Sequence, residues 1–171
     1  EDCGIGVTNV HRAGQCHVYD SLFRRSRITD IQFGNCGGWY SFRRNTSIGS
    51  NAFYLVGWIG CTGNITFQGN VIIDPVISNP IVVFNRGPVL LIDNVIRSRP
   101  EVTNGPVVEV WDNLLAVGNT FTVPAPLRSL ERAIAFDNQI VPAESVAWEE
   151  PELPGFLPRR ERPVFEVPRG A

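Results

Sequence analysis

The chain has 171 residues, 43% of them hydrophobic, and a formal net charge of −2. That is enough for one domain with a sizeable core and too little for two. All basic residues are Arg, in runs no longer than a pair, and no apolar run approaches the ~18 residues of a membrane span, so neither nucleic acid nor a membrane span is expected.

The sequence opens on Glu1-Asp2-Cys3-Gly4 without a signal-peptide pattern and contains no Met, so a processed chain or a fragment is expected. Its four Cys (Cys3, Cys16, Cys36, Cys61) lack C-x-x-C spacing and have only His11 and His17 as companions; no metal or other cofactor is expected. Cys3–Cys16 and Cys36–Cys61 are open as disulfides, with buried thiols as the alternative. His17, Asp20 and Asp30, with Arg43 and Arg44, occupy the least regular part of the chain. Acids and cations on irregular loops of a regular scaffold suit a site, although Asp is also an ordinary turn residue.

From residue 28 onward one motif recurs. "ITDIQFGNCGG" (28–38), "ITFQGNVIID" (65–74), "PVLLIDNVIRS" (88–98), "LLAVGNTFTV" (114–123) and "AIAFDNQIV" (133–141) each place an Asn after Gly or Asp: Asn35, Asn70, Asn94, Asn119 and Asn138. Gly and Asp tolerate the left-handed backbone region, so each pair marks a sharp bend between short strands. The middle spacings are 24 and 25 residues and the outer ones 35 and 19. A second strand set lies upstream in "AFYLV" (52–56), "IVVFN" (81–85) and "VVEVW" (107–111), separated by Pro and Gly turns. β-Branched and aromatic residues dominate these strands, and no window carries a helical apolar period.

A polar pair such as Asp93-Asn94 inside an apolar run is costly unless bonded. In a parallel β-helix, with coils ~4.8 Å apart, equivalent Asn residues stack and bond one another. The leucine-rich repeat has a similar period, but here Leu is outnumbered and Pro and Gly stand where its helix belongs. The expected fold is all-β, a parallel β-helix over residues 1–141, incomplete at one or both ends. A Pro-rich extended tail over 142–171 follows, with six of the chain's 13 Pro. On "VVEVW", Glu109 and Trp111 alternate with Val108 and Val110 and are expected to face outward, with Tyr54 and Trp58 on or just after the equivalent strand. An aromatic beside an acid suits a sugar ring, ordinary surface aromatics or inward stacks being the alternative. Residues 45–47 and 64–66 match the glycosylation sequon.

The Gly/Asp-Asn bends with β-branched flanks, above all "NTSIGSNAFYLVG" (45–57) and "GNITFQGNVIIDP" (63–75), resemble the pectin-lyase-like right-handed β-helix superfamily. The resemblance spans roughly residues 5–141. It implies a right-handed solenoid and a secreted or cell-surface protein acting on a polysaccharide, by hydrolysis or lysis. Under it, Glu109, Asp20 and Asp30 are candidate catalytic acids. Tyr54, Trp58, Trp111, Arg43, Arg44 and His17 are candidate substrate contacts. The polygalacturonase and pectate-lyase strings are absent, which keeps a non-catalytic structural or carbohydrate-binding module as the alternative. "RPVFEVPRGA" (162–171) looks like the opening strand of a further domain in tandem β-helix proteins of laminarinase type. Glu1 to Gly6 offers no capping helix, so another chain, or a missing segment of the same protein, is expected to stack on an open end.

Overall fold

Inward and outward side chains alternate along most of the described strands, and a unit of three short strands, repeated about every 24 residues, winds the chain into a parallel three-sheet β-solenoid. The computed structural model describes residues 1–9, 14–33, 37–55, 62–84 and 86–148. The first rung holds β1 (Ile5–Asn9), β2 (Gln15–Tyr19) and β3 (Leu22–Arg24). The second holds β4 (Thr29–Phe33), β5 (Gly38–Arg43) and β6 (Thr46–Ile48). β7 (Tyr54–Leu55), β8 (Gly63–Gln68) and β9 (Val71–Ile73) make the third, and β10 (Ile81–Val83), β11 (Val89–Ile92) and β12 (Val95–Arg97) the fourth. The fifth comprises β13 (Val108–Val110), β14 (Leu114–Val117) and β15 (Thr120–Phe121); the last comprises β16 (Leu127–Ser129), β17 (Ala133–Phe136) and β18 (Gln139–Ile140). The first strands of the rungs form sheet A, the second strands sheet B and the third strands sheet C, each six-stranded and parallel.

Identical positions on successive rungs stack into columns. In sheet B, Phe42, Phe67, Leu91 and Ala116 are in register and buried. Aromatic rings fill the interior of the second and third rungs. Phe42 lies 5.4 Å from Phe67 and 5.2 Å from Tyr54, centroid to centroid, and Phe33 lies 5.7 Å from Phe42. Beyond them the interior is mostly aliphatic, through Val83, Leu91, Ile96 and Val110, with the Phe121 ring on the fifth rung.

The corner between sheets B and C carries the Asn column. The backbone N–H groups of Asn45, Asn70, Asn94 and Asn119 donate to the Oδ1 of the Asn one rung on, at 2.9–3.0 Å. Each Nδ2 donates to the same Oδ1 and to a strand carbonyl: Asn94 Nδ2 reaches Asn119 Oδ1 and Phe67 O, both at 3.0 Å. Every amide between the column's ends is thereby satisfied though buried, as the sequence required. Among the described residues the column's first Asn is Asn45, 25 residues before Asn70; Asn35, expected as its first member, lies outside the described residues. Ser21 takes the equivalent place in the first rung, its N–H donating to Asn45 Oδ1. Since Asn45 is consumed inside the column, Asn64, exposed on sheet B, is the sequon residue whose side chain faces solvent.

The residues before the column, Asp20, Arg44, Gly69, Asp93, Gly118 and Asp137, all have φ between 51° and 67°. Arg44 is the unexpected member, because its Cβ crowds the following carbonyl oxygen in this region and Arg lacks the short polar side chain that lets Asp and Asn adopt it. Its guanidinium grips Asp20 on the preceding rung through two bonds, Nε–Oδ1 at 2.6 Å and Nη2–Oδ2 at 2.7 Å. The corner between sheets C and A repeats the device: Arg25, with φ 52°, grips Asp2. At the corner between A and B, Gly87 has φ 153°, and a Cβ there would stand 2.4 Å from the Gly63 carbonyl, so no side chain fits.

After β18 the chain turns back along the solenoid. A 3-10 turn, Ala143–Ser145, follows Pro142, and Arg97 Nη1 donates to Val146 O at 3.2 Å. The 149–171 part of the expected tail lies outside the described residues, as do Cys36 and Cys61. Cys3 and Cys16 do not bridge; Cys3 Sγ meets Ser26 Oγ at 3.7 Å.

Replacing Asn94 by Ala strands the Asn70 N–H and Nδ2 donors in a buried site, and each stranded group costs about 1–3 kcal/mol. Urea unfolding of Asn94→Ala is expected to show a loss of about 3 kcal/mol or more, and Asn138→Ala, at the exposed end, a clearly smaller one. Equal losses at the two positions would contradict the column.

Candidate ligand cleft

On the last three rungs the sheet A strand ends against the A/B corner, and the residue just past it stays on the outer surface. Phe84, Trp111 and Leu130 stand at this point on the last three rungs, held by Trp111 N–H to Val83 O and Leu130 N–H to Val110 O, both at 3.0 Å. Trp111 packs edge-on against Phe84 with ring centroids 4.7 Å apart. The two rings form one wall of an open cleft of about 390 Å³, completed by Arg86, Asp112, Asn113, Leu130 and Glu131. Asp112 Oδ1 accepts from the Asn113 N–H and Nδ2, each at 2.6 Å, and Ser129 Oγ donates to the Asp112 carbonyl at 2.6 Å, which fixes the loop. An aromatic wall beside carboxylates, an amide and a guanidinium offers apolar contact and directional hydrogen bonds together, which is the chemistry of a polyhydroxylated ring.

The predicted residues fall in different places. Glu109 faces outward on sheet A, two residues from Trp111, with Arg128 in register on the next rung and Nη1 3.9 Å from its Oε1. Trp111 is in the cleft. Tyr54, expected on the surface, is 1% exposed and points into the core against Phe42 and Phe67; β7 has only two residues, and the turn before it buries Ala52 and Phe53 as well, so simple alternation fails there. Trp58 lies outside the described residues. His17 and Arg43 share the outer face of sheet B, while Asp20 and Arg44 are bound to each other at the B/C corner. The Arg44 guanidinium holds the Asp20 carboxyl below the usual carboxylate range.

The three candidate acids are therefore not brought together. Asp20 is on the first rung and Glu109 on the fifth, about 19 Å apart along the axis at ~4.8 Å per rung. Asp30 is inside the solenoid, fully buried and out of reach of a ligand on the outer faces. Ser47 Oγ donates to its Oδ2, its Oδ1 is buried without a hydrogen-bond partner, and the nearby Ser26 and Ser50 hydroxyls also favour its charged form. Ser47 occupies a column that elsewhere holds Phe23, Ile72, Ile96 and Phe121, so an apolar position is given up to serve this acid.

The cleft acids Asp112 and Glu131, with Phe84 and Arg86, were not singled out by sequence. The available signal was the equal offset of Phe84 and Trp111 after "IVV" and "VEV", hidden when the repeat is aligned on Asn. Among the described residues, no group of three or more His, Cys, Asp or Glu is arranged to hold a metal ion. None of the described helices is long and apolar enough to cross a membrane. No protein-family model, no curated protein and no solved structure matches the chain.

Burial pushes the Asp30 carboxyl up, and the serine hydrogen bonds only partly oppose it. A folded-state pKa raised above the unfolded value, about 3.9, gives stability that is present below that value and lost as pH rises through the folded one. Asp30→Asn is therefore expected to become more stable relative to the parent as pH is raised from 4 to 8, read as the difference in urea midpoint. A difference independent of pH would show that Asp30 titrates normally.

Proposed function

We propose that the chain is a carbohydrate-binding β-solenoid, part of a secreted or cell-surface protein that acts on a polysaccharide, with the architecture of the pectin-lyase-like superfamily. The observation that carries this reading is the Phe84–Trp111 wall set beside Asp112, Glu131 and Arg86. Stacking against the face of a pyranose ring uses the aromatic wall, and the charged groups bond hydroxyls at its rim. An elongated scaffold with equivalent positions every ~4.8 Å also suits an extended polymer.

The ends of the solenoid support a stacking partner, either another chain or a further segment of the same protein, as in tandem β-helix proteins of laminarinase type. Among the described residues, β1, β2 and β3 at one end and β16, β17 and β18 at the other have a strand neighbour on one side only. All four residues of β17 are exposed, including Ala133 and Ala135, which continue interior columns. Unpaired strand edges of this kind invite another layer.

A second reading, hydrolysis by this chain itself, is favoured by the presence of Asp112 and Glu131 on successive rungs of one cleft. One set of measurements addresses both readings. Neutral β-glucan oligosaccharides are titrated into the chain and followed by calorimetry, with release of reducing ends measured in parallel. Binding that weakens about tenfold or more in Trp111→Ala is the expected result. Turnover abolished by Asp112→Asn or Glu131→Gln would move the reading to the hydrolase. Binding indifferent to Trp111→Ala, or no binding, would overturn the cleft as the sugar site.

A further inference from the structure

The outer face of sheet B has a second surface of different chemistry. The outward positions of β2, β5 and β8 are in register as three columns: Gln15, Trp39 and Asn64; His17, Ser41 and Thr66; Tyr19, Arg43 and Gln68. These nine positions contain an indole, a phenol, an imidazole, amides, hydroxyls and a guanidinium, and no carboxylate. Trp39 is 69% exposed and Tyr19 41%, on a face otherwise flat and regular. The His17 and Tyr19 rings stack at 5.8 Å and 29°, and the Arg43 guanidinium carbon is 5.9 Å from the Tyr19 centroid.

Arg43 is placed differently from the corner arginines. Arg25, Arg44 and Arg97 each grip an Asp one rung away. Arg43 has no carboxylate partner among the described residues, and its Nε is buried without a hydrogen bond. The nearest acid beyond the array in the chain, Asp20, is already taken by Arg44. A guanidinium left without an anion on an aromatic, amide-rich sheet lacks the partner that would compensate its desolvation.

We propose that this face binds an anionic sugar chain, one whose pyranose rings carry carboxylate or sulfate groups. Trp39 supplies a ring face for stacking. Arg43 supplies a planar, charge-assisted donor for the anion. The amides of Gln15, Asn64 and Gln68 meet hydroxyls from either side. The A/B corner cleft carries two carboxylates and is expected to repel such a ligand, so the two surfaces have opposite preferences. The inference stands on the sheet B residues alone and survives if the cleft binds nothing.

The test titrates three oligosaccharides of equal length into the full chain: a galacturonate oligomer, a heparin-derived oligomer and a neutral cello-oligomer. With the cleft disabled by Trp111→Ala, at least one anionic oligomer is expected to bind about tenfold or more tightly than the neutral one, in a way that Trp39→Ala weakens by a similar factor. Arg43→Gln is expected to remove the preference for charge, and added salt to weaken anion binding. Trp111→Ala should leave anion binding unchanged. The carboxylated and sulfated arms identify which group is recognised. Both variants alter the outer face, and unchanged thermal midpoints confirm that they fold. Anionic and neutral oligomers binding alike in Trp111→Ala, where the cleft is disabled, no binding of either anion, or anion binding untouched by both Trp39→Ala and Arg43→Gln would overturn the proposal.

Discussion

Five stacked side-chain amides at one corner hold the register of everything else. A parallel strand pair can slip by two residues in principle, because its bonds are evenly spaced and that shift restores both the bonds and the facing of the side chains. The Asn column removes that freedom. Each Oδ1 accepts both the backbone N–H and the Nδ2 of its neighbour, so such a slip would strand several buried donors together. With the B/C corner pinned, sheets B and C are in register, and sheet A follows across the other two corners. The inward columns then coincide, ring above ring, and the outward columns become straight tracks on the surface.

Two further devices act around that column. At the outer rim, Asp on one rung meets Arg on the next, as in Asp20–Arg44 and Asp74–Arg97. Exposed pairs of this kind add little stability individually. Their value at Arg44 and Arg25 is local, since each holds an Arg in a backbone region it would otherwise avoid. Inside, large rings crowd the second and third rungs while Asp30 and its serines sit beside them. The outer faces divide as well: sheet B is polar and aromatic over its first three rungs, and apolar beyond them through Leu90, Ile92, Leu115 and Val117.

The architecture was legible because β-branched strands and Gly/Asp-Asn bends are local signals with a fixed physical meaning. Four of the five column positions could be read directly. The fifth was missed because Arg44 stands before Asn45, and nothing local to Arg announces a left-handed residue; its permission comes from Asp20, 24 residues earlier. Tyr54 was misjudged for a related reason, since a two-residue strand following a buried turn has no alternation to read. The surface sites were less visible still. Trp111 and Glu109 stood out on one strand, but Phe84, Asp112 and Glu131 join them only when rungs stack, and His17, Tyr19, Trp39 and Arg43 form one surface only through the register of β2 with β5. Sequence neighbours within a strand are readable; neighbours one rung away become so once the period is correctly phased.

The column of amides is tested most directly by hydrogen exchange on the folded chain. The Asn70 and Asn94 backbone N–H groups donate to side chains at a turn, where exchange would otherwise be fast. The expected result is protection close to that of the core strands β8 and β11, falling off toward Asn138 at the end of the solenoid. Exchange of the Asn70 and Asn94 N–H groups at the rate of an exposed loop would mean that the amides are not stacked, and the register of all three sheets would lose its cause.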